Sequence, residues 1–334
     1  MTSTAILFDG LESAKVEWTG LLGLSAANTV FLTPEWQRIW WDHFGGSYKL
    51  LLLSLQDSDG PLGLAPLAVQ DGTVRFLGST DLFDYHDFIV LEGRERPFYE
   101  ELIDYVESDA DWRVLELESL RAGSPALELL PALAEAKGLA FEIVQEDVAP
   151  VLALPDTWDD YLASLPKKAR HELRRKARKL DAAGDVSHTM CSDPQCVRDC
   201  LPDFFRLHRE SGPDKAEFMT PERERFFTEM ALEFASKDQF RMALLELGGK
   251  RVAACISFDY LDSYLLYNSG YDPDFSYLSV GILNKAFAIR EAIGAGKRYF
   301  DFLRGPERYK YDLGAVDREI YRLVIRRERP IHRA

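Results

Sequence analysis

Residues 300–314, with the sequence FDFLRGPERYKYDLG, bring together side chains that could move protons or bind an anion. An apolar run ends in Asp301, Arg304 opens a tight Arg-Gly-Pro turn, and Tyr309 and Lys310 follow. A tyrosine can protonate a leaving group, while a lysine or an arginine can bind a phosphate or a developing oxyanion. The structural alternative is an ion pair of Asp301 with Arg304 or Lys310 that fixes a loop, beside a core tyrosine.

Two histidines are candidates for a general base, because imidazole titrates near neutral pH. His208 lies at the end of a predicted helix in RLHRESG, and His86 lies in the loop DLFDYHDF. Asp84 and Asp87 flank His86 and could orient its ring and raise its basicity. A lone histidine is more often structural, so the sequence leaves both candidates open.

The composition restricts the classes of function. The 334 residues carry a net charge of −15, which disfavours DNA and other nucleic acids as partners, since such binding depends on neutralising phosphates. No segment has the ~18–20 consecutive apolar residues of a membrane span. The first residues, MTSTAILFDG, lack the basic and apolar regions of a signal peptide. The sequence therefore predicts a cytoplasmic globular protein, long enough for two domains.

The four cysteines predict reduced, structural thiols, as is usual in a cytoplasmic chain of this length. Cys191, Cys196 and Cys200 follow a C-x4-C-x3-C pattern with His188 nearby, a grouping that could bind a metal. The C-x2-C spacing typical of zinc sites is missing, and no second pair of ligands follows. We therefore expect no metal site.

Hydrophobic periodicity predicts the same order of elements in both halves of the chain. In each half, two helices precede a three-stranded meander, which is followed by a helix and another strand. The seam lies near residues 147–156. We expect two α/β domains with mixed sheets, 1–150 and 151–334.

The segment 160–183 is predicted to form a basic amphipathic helix. Its apolar residues step by three and four, and residues 167–179 carry eight Lys/Arg and one Glu. The basic face could be a solvated surface that balances the acidic chain. It could also bind a phosphate-bearing substrate or dock on anionic lipid.

A meander of three strands followed by a helix and a strand resembles the core of the GNAT acyltransferases. Four segments strengthen the resemblance by occurring in order: FLTPEWQRIWWDHFG, LPKKARHELRRKARKL, NSGYDPDFSYLSVG and FDFLRGPERYKYDLG. Together they are similar to the cellulose-biosynthesis (CelD/BcsL-type) branch of GNAT. That branch shares its tandem architecture with the Fem-type aminoacyltransferases of cell-wall synthesis. The resemblance implies tandem GNAT-like domains, the first of them degenerate.

The resemblance also implies a donor site in the second half. In GNAT proteins the helix after the third strand binds the pyrophosphate of acyl-CoA with its free N–H groups. The family's loop is Gln/Arg-x-x-Gly-x-Gly/Ala, and only the last glycine, Gly281, is kept here. The implied donor-binding residues are Ser276, Ser279, Val280 and Gly281. Acyl-CoA (acetyl-CoA) would be a co-substrate, with no tightly bound cofactor. The equivalent loop of the first half carries three aspartates, which would repel a polyphosphate.

For the residues that open this section, the resemblance implies roles at the thioester. Tyr309 would protonate the leaving thiolate, and Lys310 would hold a phosphate or stabilise the oxyanion. The catalytic residues predicted in this way are His208, His86, Asp301, Tyr309 and Lys310. The predicted substrate-binding residues are Asp84, Arg304 and Tyr271.

The implied activity is transfer of an acyl group from acyl-CoA to an amine or hydroxyl of a small molecule, sugar or exopolysaccharide precursor. Direct attack is expected, since the chain has neither a G-x-S-x-G elbow nor a Cys–His nucleophile pair. Alternatives are a Fem-type transferase that uses aminoacyl-tRNA, a long-chain-base N-acyltransferase, and a non-catalytic scaffold in polysaccharide biosynthesis. The acceptor would be a small molecule, a glycan or a lipid, and the helix 160–183 would permit peripheral membrane association.

Overall fold

The first half of the chain folds in the predicted order, with two additional short strands. The computed structural model describes residues 4–108 and 111–327. Apolar runs bounded by Gly/Asp turns form the strands, and proline or serine starts several helices. The elements are β1 (Thr4–Phe8), α1 (Leu11–Gly23), α2 (Pro34–Phe44), β2 (Lys49–Asp57), β3 (Gly60–Gln70), β4 (Thr73–Phe76), β5 (Ile89–Val90), α3 (Glu95–Ser108), β6 (Val114–Arg121), α4 (Pro125–Ala136) and β7 (Ala140–Ala153).

The second half repeats the pattern with a longer helical section. Its elements are α5 (Trp158–Ser164), α6 (Lys167–Asp181), β8 (Val186–Cys191), α7 (Pro194–Glu210), α8 (Pro213–Phe218), α9 (Pro221–Ser236), β9 (Phe240–Leu247), β10 (Lys250–Tyr260), β11 (Ser263–Tyr271), α10 (Val280–Gly294), β12 (Tyr299–Asp301), α11 (Arg308–Asp312) and β13 (Val316–Arg326). A 3₁₀ turn, Pro273–Leu278, precedes α10.

The predicted continuous helix 160–183 is wrong, because it is two helices. Leu165 ends α5 in an extended conformation, with φ −66° and ψ 143°. The residue before a proline is sterically disfavoured in the α region, and Pro166 follows here. The basic residues therefore belong to α6 alone, which buries Leu173 and Leu180 in the core of its unit.

The described residues divide into two compact units. The first unit comprises the residues up to Asp147 together with the segment from Arg318, and the second comprises Val148–Asp317. The predicted division at residue 150 placed everything beyond it in one domain. The structure instead assigns β13 from Arg318 onward to the first unit, where it pairs antiparallel with β6.

Each unit is completed by the last strand of the other half of the sequence. In the first unit the strands run β1-β2-β3-β4-β6-β13. In the second unit the end of β7 pairs antiparallel with β12, and the order is β8-β9-β10-β11-β12-β7. The two orders correspond strand for strand, with one parallel pair in each, β4 with β6 and β11 with β12. Both sheets are therefore mixed, as predicted.

Each unit has its own hydrophobic core. In the first, leucine-rich strands pack against α3 and α4, and β13 contributes Leu323 and Ile325. In the second, the sheet packs against α10 and against the apolar face of α5 and α6. Across residues 4–108 and 111–327, no helix combines the length and hydropathy that a membrane span requires.

Candidate active site

The second unit opens between its two parallel strands. β11 and β12 pair only over Ser263–Leu265 and Tyr299–Asp301. β11 continues to Tyr271, while β12 ends at Asp301. The β10–β11 register shifts at Tyr267, which lies between the partners of Ile256 and Ser257. Beyond Leu265, β11 stays paired with β10 on one side, while its other edge borders the opening.

The N-terminus of α10 lies at the end of β11, and it is suited to an anion. Ser279, in the left-handed region at φ 59° and ψ 34°, turns the chain from the 3₁₀ turn into α10, whose first turn contains no acidic residue. The first N–H groups of any α-helix have no intrahelical acceptor and carry partial positive charge. Gly281 allows close packing, since a Cβ there would lie 3.2 Å from Cδ1 of Tyr271. Tyr271, a predicted substrate contact, is half-buried against this turn.

Lys310 fixes a loop, which the sequence analysis gave as the alternative to a catalytic role. Its buried ammonium donates hydrogen bonds to the carbonyls of Leu303, Arg304 and Gly305 at 2.7–2.9 Å. It also forms an ion pair with Glu307 at 2.9 Å. These acceptors use every proton of the ammonium, so Lys310 fixes the loop instead of presenting a free charge to a reacting group.

Asp301 and Arg304 belong to the same loop. Oδ1 of the buried Asp301 accepts the N–H of Leu303 at 2.8 Å, and Leu303 adopts a left-handed φ of 58°. Arg304 is half-buried, and its carbonyl is one of the Lys310 acceptors. Both predicted site residues therefore help to shape the turn at which β12 leaves β11.

Tyr309 lies beneath a buried lysine that the sequence analysis did not identify. Nζ of Lys285 on α10 is 4.9 Å from the centroid of the Tyr309 ring. Burial, together with the Glu307 carboxylate, raises the pKa of Tyr309, so the phenol keeps its proton at neutral pH. Burial lowers the pKa of Lys285, and Lys310 lowers it further. A signal was present in the sequence: Asn284 and Lys285 interrupt the apolar run VGILNKAFAI.

A second lysine and His208 lie at the open part of β11. Nζ of Lys215 on α8 donates to the carbonyl of Ser269, and burial, helped by repulsion from Lys285, lowers its pKa to about 8. His208 is buried at the end of α7, and its Nδ1 has no hydrogen-bond partner among the described residues. Burial and the nearby Lys215 lower the pKa of His208 to about 4, so its ring is neutral at pH 7.

The contact between α7 and β11 requires a glycine. A Cβ at Gly270 would overlap the backbone of Leu207 and His208. Gly270 thus brings the last turn of α7 onto the strand that borders the opening. The resulting cluster of His208, Lys215, Lys285 and Tyr309 is cationic or neutral at pH 7 and suited to stabilise developing negative charge.

A cavity of about 490 Å³ lies beside the first turn of α10. It is bordered by α6, α10 and α11, and its basic side chains are those of Lys168, Lys176 and Arg308. Two carboxylates also line it: Glu172 is paired with Arg175 at 2.7 Å, and Asp312 lies 3.9 Å from Arg308. The space next to the helix N-terminus is therefore bordered by basic, acidic and apolar side chains.

The remaining predicted site residues, His86 and Asp84, lie in the first unit. The buried His86 ring stacks between Phe76 and Phe83, at centroid distances of 5.4 and 4.8 Å. The orientation of His86 by Asp84 and Asp87 stays a prediction; Oδ1 of Asp87 accepts from Ser124 Oγ at 3.0 Å and from the backbone N–H of Phe88 at 2.9 Å. Burial raises the pKa of Asp87 to about 6. Asp84 is half-buried in the same loop.

His86 borders a small polar cavity of about 190 Å³. Glu116 and Glu118 also line it, with Arg75 paired to Glu116 at 3.4 Å. Burial and the neighbouring carboxylates of Glu116 and Glu146 raise the pKa of Glu118. The pocket in the first unit thus contains two glutamates and one arginine, whereas the cluster in the second unit contains two lysines.

The cysteines differ from the prediction of four reduced thiols. Cys191 and Cys196 form a disulfide, while Cys200 and Cys255 are free and buried. The three sulfur atoms of Cys191, Cys196 and Cys200 lie within 4.8 Å of one another. His188 is not part of this group; it packs edge to face on Phe287 at a centroid distance of 5.1 Å.

Comparison with known proteins identifies the fold. Residues 167–311 match the sequence profile of a family described as "Acetyltransferase (GNAT) domain". Among curated proteins, none matches the sequence. FemX is similar in structure, with a TM-score of 0.66 and 10% identity over 96% of this chain and 97% of FemX.

Two further solved structures extend this similarity. A tandem GNAT protein from the clavulanic acid biosynthesis pathway has a TM-score of 0.52 and 12% identity, covering 98% of this chain and 100% of that protein. The C-terminal domain of a protein described as a lysylphosphatidylglycerol synthetase, from Agrobacterium fabrum, has a TM-score of 0.59 and 11% identity, covering 94% and 92%. The chain has a GNAT fold, and its structural neighbours include tandem GNAT proteins, as predicted.

Proposed function

We propose that the second unit transfers an acyl group from acyl-CoA to an amine or hydroxyl of a small molecule, sugar or exopolysaccharide precursor. The observation that carries this proposal is the combination of features at one opening. The opening is bordered by the edge of β11 beyond Leu265, by the N-terminus of α10, and by the half-buried Lys215 and the buried Lys285. An extended thioester with an anionic tail matches this arrangement of hydrogen-bonding edge, donor-rich helix end and buried positive charge.

The donor would bind with its pyrophosphate at the start of α10. The backbone N–H groups of Val280 and Gly281 would donate to it, and the hydroxyls of Ser276 and Ser279 lie in the same segment. The pantetheine arm would then run along β11, with its polar amides meeting the open edge of that strand. The adjoining 490 Å³ cavity leaves space for the rest of the donor.

The chemical step would be direct attack of the acceptor on the thioester carbon. His208, neutral at pH 7, would accept the proton of the attacking amine or hydroxyl, directly or through a water. Lys215 and Lys285 would stabilise the negative charge on the carbonyl oxygen. The C–S bond then breaks, and Tyr309, which keeps its proton, would donate to the departing thiolate. In this assignment Asp301, Arg304 and Lys310 position the loop and do not react.

The basic face of α6 supports an anionic surface as docking partner. Lys167, His171, Arg174 and Arg178 form one exposed stripe along the helix, which we name the α6 stripe. Within the described residues, Lys167, Arg174 and Arg178 form no ion pair, although the chain carries a net charge of −15. Exposed Tyr277 lies beyond the end of the stripe, with Lys179 5.2 Å from its ring. Basic residues next to an exposed aromatic suit the surface of an anionic phospholipid bilayer.

Calorimetry with acetyl-, octanoyl- and palmitoyl-CoA tests the proposal. Gly281→Glu would place a carboxylate beside the pyrophosphate, and repulsion at about 5 Å and an effective dielectric of ~20 weakens binding by about 3 kcal/mol, or ~100-fold. Gly281→Ala is the matched control, because its Cβ meets only the flexible ring of Tyr271. The alanine variant should bind within a few-fold of the wild type.

The outcomes separate the competing activities. Preference for acetyl-CoA would favour small-molecule or sugar acylation, and preference for palmitoyl-CoA would favour long-chain-base N-acylation. A wild-type protein that binds none of the three donors would contradict the proposal. Transfer from aminoacyl-tRNA would then identify a Fem-type reaction, and failure of that assay as well would favour a scaffold.

A further inference from the structure

The three clustered cysteines occupy two neighbouring elements of the second unit. Cys191 ends the strand β8, while Cys196 and Cys200 are four residues apart on α7. Residues at this spacing lie on the same face of a helix, one turn apart. Cys191 is disulfide-bonded to Cys196, with the two Cα atoms 5.7 Å apart, and its Sγ lies 3.6 Å from Sγ of Cys200. Cys191 can therefore reach either partner on α7.

The geometry places a third thiol next to an existing disulfide. In thiol–disulfide exchange, a thiolate attacks one sulfur of a disulfide and displaces the other as a thiolate. Attack of the Cys200 thiolate on Sγ of Cys191 would form a Cys191–Cys200 bond and release the Cys196 thiolate. The step conserves both electrons and atoms, so it needs no external oxidant.

The surroundings give the three sulfurs different accessibility. Cys191 and Cys200 are buried, whereas Cys196 is half-exposed in the first turn of α7. Cys196 is therefore the sulfur that solvent can reach, and the Asp193 carboxylate caps the helix N-terminus beside it. Burial raises the pKa of the Cys200 thiol, and the positive charge of Arg251 opposes this shift only in part.

We propose that Cys191, Cys196 and Cys200 form a thiol–disulfide exchange centre whose substrate is the disulfide of a small thiol, such as glutathione disulfide. The exposed Cys196 thiolate attacks glutathione disulfide and releases one glutathione. Cys191 then displaces the second glutathione and forms the Cys191–Cys196 bond. The protein loses two electrons, and glutathione disulfide gains them as two thiols. Exchange with Cys200 moves the bond one turn along α7, the helix that carries His208 at its other end.

Disulfide mapping of the full-length protein tests this inference. The reduced protein is incubated with glutathione disulfide at pH 8.5, quenched with acid, alkylated and digested for peptide mass analysis. Wild type should contain both Cys191–Cys196 and Cys191–Cys200 bonds. Cys196→Ser should contain only Cys191–Cys200, and Cys200→Ser only Cys191–Cys196. Cys255→Ser is the matched control, since this buried thiol lies outside the cluster, and it should reproduce the wild-type map.

Two results would overturn the inference. The first is a wild-type map without the Cys191–Cys200 bond, which remains decisive even if the serine variants fail to fold. The second is a protein that binds one zinc ion per chain and keeps all three cysteines reduced against glutathione disulfide. As a further requirement, exchange should accelerate between pH 7 and 9, because the raised pKa of Cys200 keeps that thiol largely protonated at pH 7.

Discussion

Replacing Lys215 by methionine should stabilise the fold at neutral pH while it removes acyl transfer. The pKa of Lys215 falls from its ordinary 10.5 to about 8, chiefly because the group is buried, with a further contribution from Lys285. The difference, 10.5 − 8 or about 2.5 in pKa, corresponds to about 3 kcal/mol. This is the cost of keeping a charged lysine in this half-buried position. Methionine has similar length and carries no charge.

The pH dependence follows from the direction of the shift. Because the folded-state pKa lies below the unfolded value, the cost is fully present below pH 8 and is lost as the pH rises to 10.5. The hydrogen bond to the Ser269 carbonyl, worth about 1 kcal/mol, is lost in the variant. We therefore expect Lys215→Met to gain about 2 kcal/mol at pH 7 and almost nothing at pH 10.

Urea denaturation at pH 7 and pH 10 measures this difference. Lys49→Met, which removes an exposed lysine from β2, is the control and should change the free energy of unfolding by less than about 0.5 kcal/mol at either pH. Acyl transfer by Lys215→Met should fall ~100- to 1000-fold, as for the loss of one group that stabilises an oxyanion. A variant that is less stable at pH 7, or equally stabilised at both pH values, would refute the reasoning about the buried charge.

Three further predictions concern other parts of the second unit. His208→Gln should lower kcat ~100-fold or more without changing the Kd for acyl-CoA. Because the pKa of His208 is about 4, the pH profile of wild-type kcat/KM should show no inflection near pH 6.5. An inflection there that the variant abolishes would contradict the burial of His208. Lys310→Met should lower the free energy of unfolding by about 3 kcal/mol in urea titrations, since three carbonyls and Glu307 lose their donor. If the variant instead loses activity at unchanged stability, Lys310 is a catalytic residue after all. A triple variant with glutamate at Lys167, Arg174 and Arg178 should no longer sediment with phosphatidylglycerol vesicles. Equal binding of the vesicles by wild type and variant would exclude the α6 stripe as a docking face.

The sequence predicted the fold well because hydrophobic periodicity and turn residues act locally. The strands of the meanders and the helices on either side of them could be located from apolar runs and Gly/Asp turns alone. The same signals did not show that the end of β7 pairs in the second unit and that β13 pairs in the first. An alternating strand such as β13 carries the same pattern whichever sheet it joins, and only the pairing of Ile320–Arg326 with β6 decides.

The site was predicted less completely, because burial changes what a charged side chain can do. Lys310 has the residue type and position of a catalytic group, yet folding surrounds it with three carbonyls from its own loop. Lys285 and Lys215 come from separate helices, and no sequence spacing relates them to Tyr309. Their lowered pKa values are consequences of tertiary packing. Only the interruption of an apolar helix by Asn284 and Lys285 gave a local signal.

The two units have corresponding strand orders and opposite electrostatics, and this difference decides which of them suits a polyphosphate donor. In the first unit, the cavity beside His86 is lined by Glu116, Glu118 and Arg75, and burial together with the Glu116 and Glu146 carboxylates raises the pKa of Glu118. In the second, burial is the main cause of the lowered pKa values of Lys215 and Lys285, and repulsion between neighbouring lysines adds to it. Since a diphosphate is repelled by the first potential and attracted by the second, the fold alone does not make a donor site. The proposed donor site depends on the charged side chains that each unit places on that fold.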